Sequence, residues 1–478
     1  MENLRYCSDY FEAKKDPDRQ ECPVLPMYFI YSLLLGFGFL VLLPRFVLDA
    51  LRHGKYVAGF RERFGSLSPI RKDGRPVVWI HCVSVGETQA ARPLVKGIRE
   101  RFPESLIAIS TITLTGQNLA REIFKHDAAK VFYFPFDWPW VVRRTLKAIN
   151  PDAVLVLETE LWPGFLRECR RQQIPIAIVN GRLSEQSFRR YRVIRSFMTR
   201  VLNSLNLAIM QTEADAERLR ALGMNADKIL VAGNMKFDAG TLPATDALTT
   251  EFRKRFQLAE DAPLILAAST HDPEEVIILN SLRQVISRSE LKPRLMIAPR
   301  HPERFTEIVD LLKASGLRWV RRTAAPDASD GQAEIILLDS IGELHSVYSL
   351  ASIVFVGGSI AKTGGHNILE PAAVGVAVIV GSHTYNFQSI VETFVKAGAI
   401  VQLQPMSDSA AIVELANLIS ELLADPTSRR KLGTRARNLV NENRGATERT
   451  LESLNSMLSN HASVAKRVSL SASSAPIA

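Results

Sequence analysis

The chain has 478 residues, 46% hydrophobic and 23% charged, which suits two folded domains and excludes both a disordered chain and a single small core. A formal net charge of +9 and a pI near 9.4 point to an anionic partner. Aromatic content is only 8% and no zinc-finger or RNA-recognition pattern occurs, so nucleic acid is set aside in favour of an anionic membrane surface or an acidic small substrate. None of Cys7, Cys22, Cys82 and Cys169 forms a C-x-x-C pair, so no metal site is expected. Cys82 and Cys169 stand in apolar or helical segments and are expected as buried free thiols in a reducing compartment.

The first element is an uncharged run, Leu25–Leu43, ended by Pro44 and Arg45. Nineteen helical residues rise about 28 Å, enough for a hydrocarbon core, so a membrane anchor over 27–48, spanning or lying in the interface, is expected, with a buried core helix as the rival reading and a signal peptide disfavoured. Residues 1–26 hold four Lys/Arg and six Asp/Glu, whereas Arg45–Arg75 holds eight and three, which puts the main body on the cytoplasmic side of the membrane. The basic stretch with Tyr56, Phe60 and Phe64 reads as amphipathic, lying on anionic headgroups. Met27 is an alternative initiator, which would make 1–26 an extension.

From Val77 the pattern changes to short apolar runs alternating with amphipathic stretches. Strands are predicted at Val77–Val83, Leu106–Ile112, Lys130–Phe134, Ala153–Leu157, Ile174–Val179, Leu207–Gln211 and Ile229–Val231. Helices fall between them, among them Ala90–Arg101, Trp138–Ile149, Pro163–Gln173 and Glu213–Leu222. Residues 239–260 read as a linker with one short helical piece. The alternation restarts with strands at Leu264–Ala267, Arg294–Ala298, Leu317–Val320, Glu334–Leu338, Ile353–Val356 and Ala377–Val380. Helices from Asp408 to Leu458 close the chain, 446–461 being the closing helix and 462–478 a Ser/Ala-rich tail expected to be disordered. Repeated βαβ units mean an α/β protein with two parallel sheets, domains over 49–238 and 261–445, and a cleft between them. Ligands of such sheets bind at the carboxyl ends of the strands.

The chemistry-bearing motifs fall at those ends. Ser84-Val85-Gly86-Glu87 follows the first strand, and Glu87 is placed to take a proton from a hydroxyl; helix capping is the competing reading. Glu158-Thr159-Glu160-Leu161-Trp162-Pro163 follows the fourth strand and offers two carboxylates, with capping or an ion pair as the alternative. Asn180-Gly181-Arg182-Leu183-Ser184 offers Arg182 as a bidentate cation, or merely a surface arginine. Gly233–Asp238 contributes Lys236.

In the second half, Ser269, Thr270 and the backbone beside them suit a phosphate, and Arg300 and His301 follow the next strand. Val356-Gly357-Gly358-Ser359 and Gly364-Gly365-His366-Asn367-Ile368-Leu369-Glu370-Pro371 are the strongest signal. Gly364 and Gly365 let the backbone approach an anion, a helix opening near Asn367 would face it, and Glu370 could hold a ribose diol. No G-x-x-x-x-G-K-[ST] loop and no early G-x-G-x-x-G occurs, which argues against an ATPase and a dinucleotide oxidoreductase.

Taken together, S-V-G-E, E-T-E-L-W-P, N-G-R-L-S, G-N-x-K-F-D, S-T-H, P-R-H-P and G-G-H-N-x-L-E-P occur in order, with Glu62-Arg63-Phe64-Gly65 before them. In this the chain resembles, over about residues 27–445, the 3-deoxy-D-manno-octulosonic acid (Kdo) transferases that act on lipid A precursors. The resemblance implies a GT-B fold, no required metal and no cofactor, CMP-Kdo as donor, a lipid A precursor as acceptor, and inversion at the anomeric carbon. It makes Glu87 the general base. It gives Arg182, Lys236 and Arg300 the anionic groups of donor and acceptor, and Ser269, Thr270, Asn367 and Glu370 the phosphate and ribose. Pro273 stands where the family usually has glycine, and residues 1–26 precede the family's usual start. The rivals are a UDP-sugar transferase or epimerase of similar build, and a non-catalytic membrane scaffold on the same fold. Preference for CMP over UDP separates the first; turnover separates the second.

Overall fold

The computed structural model describes residues 25–53, 59–239, 246–259, 262–288 and 292–472. Cys7, Cys22, Tyr56, most of the 1–26 extension and residues 473–478 lie outside them. The chain divides into two compact units, Met1–Met235 with Gly445–Ala478, and Lys236–Arg444.

The first unit holds strands β1 (Val77–His81), β2 (Leu106–Thr111), β3 (Ala128–Tyr133), β4 (Ala153–Leu157), β5 (Ile176–Gly181), β6 (Leu207–Met210) and β7 (Ile229–Val231). All pair in parallel, in the order β3-β2-β1-β4-β5-β6-β7. Parallel sheets are covered on both faces, so their strands are continuously apolar. In β1, Val77 and Trp79 enter one core while Val78 and Ile80 enter the other. Each such fully buried side chain contributes about 1.5–3 kcal/mol.

The second unit repeats the plan with β8 (Leu264–Thr270), β9 (Arg294–Pro299), β10 (Trp319–Arg321), β11 (Ile335–Leu337), β12 (Ile353–Val356), β13 (Ala377–Val380) and β14 (Val401–Gln402). Its parallel order is β10-β11-β9-β8-β12-β13-β14. Here Leu264 and Leu266 face one core, Ile265 and Ala267 the other. The helical piece of the expected linker is Asp246–Arg255, and its Phe252, followed by Phe256, packs into the second unit's core. In each sheet the order reverses beside the first strand, at β1/β4 and at β8/β12, which is where such folds open a crevice.

The last helix, Ala446–Ala472, continues past Ala462 and belongs to the first unit. Leu451, Leu454 and Leu458 share a core with β1 and β4. A Cβ on Gly97 would stand 2.2 Å from Leu451 Cδ1, so the glycine permits this close helix–helix contact.

The expected anchor is a helix, Leu25–His53. Among the described residues no helix is long and apolar enough to cross a membrane. One side of the Leu25–His53 helix is committed to the first unit. Tyr28 packs edge-on to Phe197, Tyr31 donates its hydroxyl to Asp137, and Phe39 meets Phe64, Phe136 and Trp138. The other side exposes Phe29, Ile30, Leu33, Leu34, Phe37, Leu40 and Val41.

Candidate active site

In the first unit, Ser84 stands at the N-cap position of the helix Val85–Arg101, whose first turn holds Glu87 at the carboxyl end of β1. Glu87 is only 6% exposed. Its carboxylate accepts from Val83 N at 2.7 Å and from Ser84 Oγ at 3.0 Å. Burial, and then the charge of Glu158, push its pKa up to about 8, with a smaller push from Glu160. Glu87 thus makes cap-like contacts and is a buried carboxyl whose pKa is raised towards neutrality by its surroundings.

Glu158 follows β4 directly with a left-handed φ of 54°, a conformation unusual for a glutamate. Asn180 at the end of β5 has φ 54° and Ser269 at the end of β8 has φ 56°. Such outliers concentrate where function constrains the backbone. The pKa of Glu160 is raised by burial and by Glu158. Thr159 Oγ1 accepts from Arg182 N at 2.9 Å, which joins the loops after β4 and β5. Arg182 itself is exposed, and its neighbour Leu183 is fixed by Asp215 Oδ1 at 2.9 Å and by Arg218 Nη1 at 2.9 Å. Asn180 Oδ1 holds Met235 N at 3.0 Å, and Lys236, the next residue, is the first of the second unit.

Asp137 is a residue that sequence reasoning missed. It accepts from Tyr31 Oη at 2.8 Å, Gly164 N at 2.8 Å and Phe165 N at 2.6 Å. It thereby caps the helix Pro163–Arg171, which opens straight after the Glu158–Trp162 loop. Gly164 is required there, because a Cβ would stand 2.6 Å from Asp137 O. Cys82 and Cys169 are buried free thiols, and burial raises the pKa of both, so neither is a ready nucleophile.

In the second unit, Thr270 is fully buried at the end of β8, so its hydroxyl does not face solvent, whereas Ser269 is partly accessible. Arg300 and His301 follow β9 and are exposed; Arg300 N donates to Thr270 O at 3.0 Å and His301 Nδ1 lies 3.5 Å from Glu303. The first glycine run does not offer its N–H groups to a ligand. Gly358 N donates to Glu274 Oε2 at 2.8 Å, and Ser359, Ile360 and Ala361 donate to Oε1 at 2.9, 2.8 and 3.2 Å. His271 N adds a fifth bond, to Oε2 at 3.0 Å. A buried carboxylate of the protein thus fills the backbone nest that the sequence suggests for phosphate. Glu274 was invisible in the sequence because an acid at a helix start reads as ordinary capping.

Gly364 and Gly365 take φ of 98° and 74°. A Cβ on Gly364 would stand 2.4 Å from the Tyr385 ring, so only glycine fits. The helix expected near Asn367 begins at Leu369 and has six residues. Asn367 Oδ1 accepts from Leu369 N at 3.0 Å and its Nδ2 donates to Glu370 Oε1 at 3.1 Å, so the turn is closed by its own side chain. Two further histidines meet here: His271 Nε2 lies 2.8 Å from His366 Nε2.

The chain is similar to known proteins over most of its length. A family model described as 3-Deoxy-D-manno-octulosonic-acid transferase (kdotransferase) matches residues 58–239, and one described as Glycosyl transferases group 1 matches residues 328–439. The 3-deoxy-D-manno-octulosonic acid transferase of Haemophilus influenzae is 33% identical over 430 residues, covering 89% of this chain and 97% of that one. The solved C-terminal CMP-Kdo binding domain of WaaA from Acinetobacter baumannii is 31% identical, covering 41% of this chain and 96% of that one at a TM-score of 0.37. The MurG structure from Acinetobacter baumannii has a TM-score of 0.50 at 13% identity, covering 80% of this chain and 99% of that one, a likeness of fold, which is GT-B-like.

Proposed function

The chain belongs to the Kdo transferases, glycosyltransferases of lipopolysaccharide biosynthesis, and on that premise we propose that it moves Kdo from CMP-Kdo to a lipid A precursor with inversion, Glu87 serving as general base. The acceptor hydroxyl oxygen forms a bond to the anomeric carbon of Kdo while the bond from that carbon to the phosphate oxygen breaks. CMP leaves with the bonding electrons, and the hydroxyl proton passes to the Glu87 carboxylate. The observation that carries this reading is the environment of Glu87: buried after β1, beside Glu158, with a pKa near 8. A base is most effective when its pKa lies near the working pH.

In this reading the first unit takes the acceptor, with Glu158, Glu160 and Arg182 contributing, and the second takes the donor. Ser269, Arg300, His301, Gly364, Gly365, Asn367 and Glu370 line the donor side, Thr270 supports it from within, and Lys236 meets an anionic group. The reaction needs no metal and no cofactor, since CMP is a good leaving group and positioned cations meet its charge. The exposed row Phe29, Leu33, Phe37 and Leu40 rests in the interface of the inner membrane, on its cytoplasmic face, as an amphipathic helix does.

The deciding experiment is transfer from freshly generated CMP-Kdo to a tetra-acylated lipid A precursor, read by product mass. A gain of whole Kdo units establishes the reaction and counts the transfers; no gain from folded protein in detergent refutes the donor or the acceptor. Turnover retained by Glu87→Ala would move the base to Glu158 or Glu160.

A further inference from the structure

The loops after β8 and β12 meet at His271 and His366, which the chemistry proposed above leaves without a task. Their ring centroids are 5.1 Å apart and their planes differ by 6°. With the two Nε2 atoms at 2.8 Å, such a separation means that the rings lie end to end in nearly one plane, not face to face. This is an imidazole–imidazole hydrogen bond, so one Nε2 donates and the other accepts. The tautomers are then complementary: the donor ring has a bare Nδ1, and the acceptor ring carries its hydrogen on Nδ1.

The pair is held from behind. Glu274 binds the backbone N–H of His271 and of Gly358, and a Cβ on Gly358 would stand 2.9 Å from the His366 ring. The charged and titratable groups facing the pair are Arg300, Arg304, Glu275 and His301. Arg304 and Glu275 neutralise each other across 2.7 Å, and His301 stands edge-on to His271 with centroids 5.1 Å apart. Burial and Arg300 push His366 down to about 3, and burial and His301 push His271 down, so the pair is neutral at pH 7. A shared metal does not account for the contact. Two nitrogens on one tetrahedral zinc, each about 2.0–2.1 Å from it, stand about 3.3 Å apart. Among the described residues no group of three or more His, Cys, Asp or Glu is placed to hold a metal ion.

We propose that the His271–His366 pair is a proton-accepting anion site, which takes up one proton as the phosphoryl group of a cytidine nucleotide binds. The inference rests on the reading that the second unit binds the donor. The proton comes from solvent and adds to the bare Nδ1. The Nε2 proton stays shared, and the pair becomes one imidazolium with one imidazole. Both Nδ1 atoms then carry hydrogen, so the pair gains a donor and a positive charge together.

The test is titration calorimetry of the full chain with cytidine 5′-methyl phosphate, a phosphodiester with no proton of its own to exchange near neutrality. Runs at pH 7.5 in buffers of different ionisation enthalpy should show net proton uptake on nucleotide binding, with affinity falling by up to about tenfold per pH unit as pH rises. His366→Gln and His271→Gln should bind without buffer-dependent heat and with a flat pH profile. Binding by the unaltered protein with no proton uptake overturns the inference while leaving the donor reading intact, as does uptake that persists in both variants. Binding that requires added zinc overturns it in favour of a metal site. No binding of the probe by folded protein at any pH refutes the donor reading itself.

Discussion

The two units place the same topological feature, the reversal of strand order beside the first strand, under opposite chemistry. At β1/β4 the loops carry carboxyl groups, Glu87, Glu158 and Glu160; at β8/β12 they carry the imidazoles of His271 and His366. Burial drives both kinds of group towards neutrality, raising Glu87 and Glu160 and lowering His271 and His366. The second unit also buries a carboxyl, Glu274, yet the two glutamates serve different ends. Glu87 receives two hydrogen bonds and faces Glu158 and Glu160. Glu274 receives five backbone N–H groups, which oppose the upward push of burial on its pKa, and it holds the loops after β8 and β12 together. The number of donors around a buried carboxylate thus separates a group left available for proton transfer from one committed to holding loops.

The sharpest way to break that comparison is to remove each carboxylate. Glu87→Ala should lower transfer by about 10²–10⁴-fold, the usual contribution of a general base, with CMP binding and folding retained. Kinetics and CMP titration on the same preparation check it. Glu274→Gln should act on the fold instead. Whichever way the amide is turned, its NH2 faces at least two of the five N–H donors, so a loss of about 2–4 kcal/mol in denaturant unfolding is expected. Glu87→Gln should cost almost no stability. A stable Glu274→Gln protein would remove the distinction.

A smaller but more specific effect lies in the pH dependence. On the proposed mechanism Glu87 acts when ionised, so with its pKa near 8 kcat/KM should rise with pH to half its plateau near 8. The rising limb should vanish in Glu87→Gln. The stability effect has the opposite sign. The folded state holds this proton more tightly than the unfolded chain, whose carboxyl has the ordinary value of 4.5. The stability it contributes is full below about pH 4.5 and is lost as pH rises through 8. Glu87→Gln, which cannot ionise, should therefore be at least as stable as the parent at pH 8.5, measured by thermal unfolding at pH 5 and 8.5.

The sheets were readable because buried parallel strands are unbroken apolar runs: Ala153–Leu157, Ile353–Val356 and Ala377–Val380 were placed to the residue. Where strands are short or their ends polar, the reading drifted. Leu317–Val320 was expected and Trp319–Arg321 is formed, while β14, two residues long, gave no pattern at all. The spacing of Leu451, Leu454 and Leu458 marks an apolar helix face but cannot say which unit's core it enters; that depends on Gly97 opening a place for Leu451. Acids after strands were visible as candidates. Glu274 and Asp137 were not, because what distinguishes them is the set of N–H groups converging on them, and those come from residues distant in sequence. The apolar run Leu25–Leu43 gave the helix but not its attachment, since Tyr31 and Phe39 read as two more apolar positions.

Asp137 supplies an intermediate case between Glu87 and Glu274, and with it the finest test of donor counting. It has three donors, Tyr31 Oη, Gly164 N and Phe165 N, and burial raises its pKa to about 7 against those bonds. Tyr31→Phe removes one donor and leaves the two backbone bonds of the helix cap. The expected loss is about 1 kcal/mol, the net worth of one hydrogen bond. It should be larger above pH 7 than at pH 5, because the lost bond matters most when Asp137 is ionised. Unfolding at the two pH values measures this directly. An equal loss at both would mean that Asp137 keeps one protonation state throughout, and that Tyr31 holds the Leu25–His53 helix through packing alone.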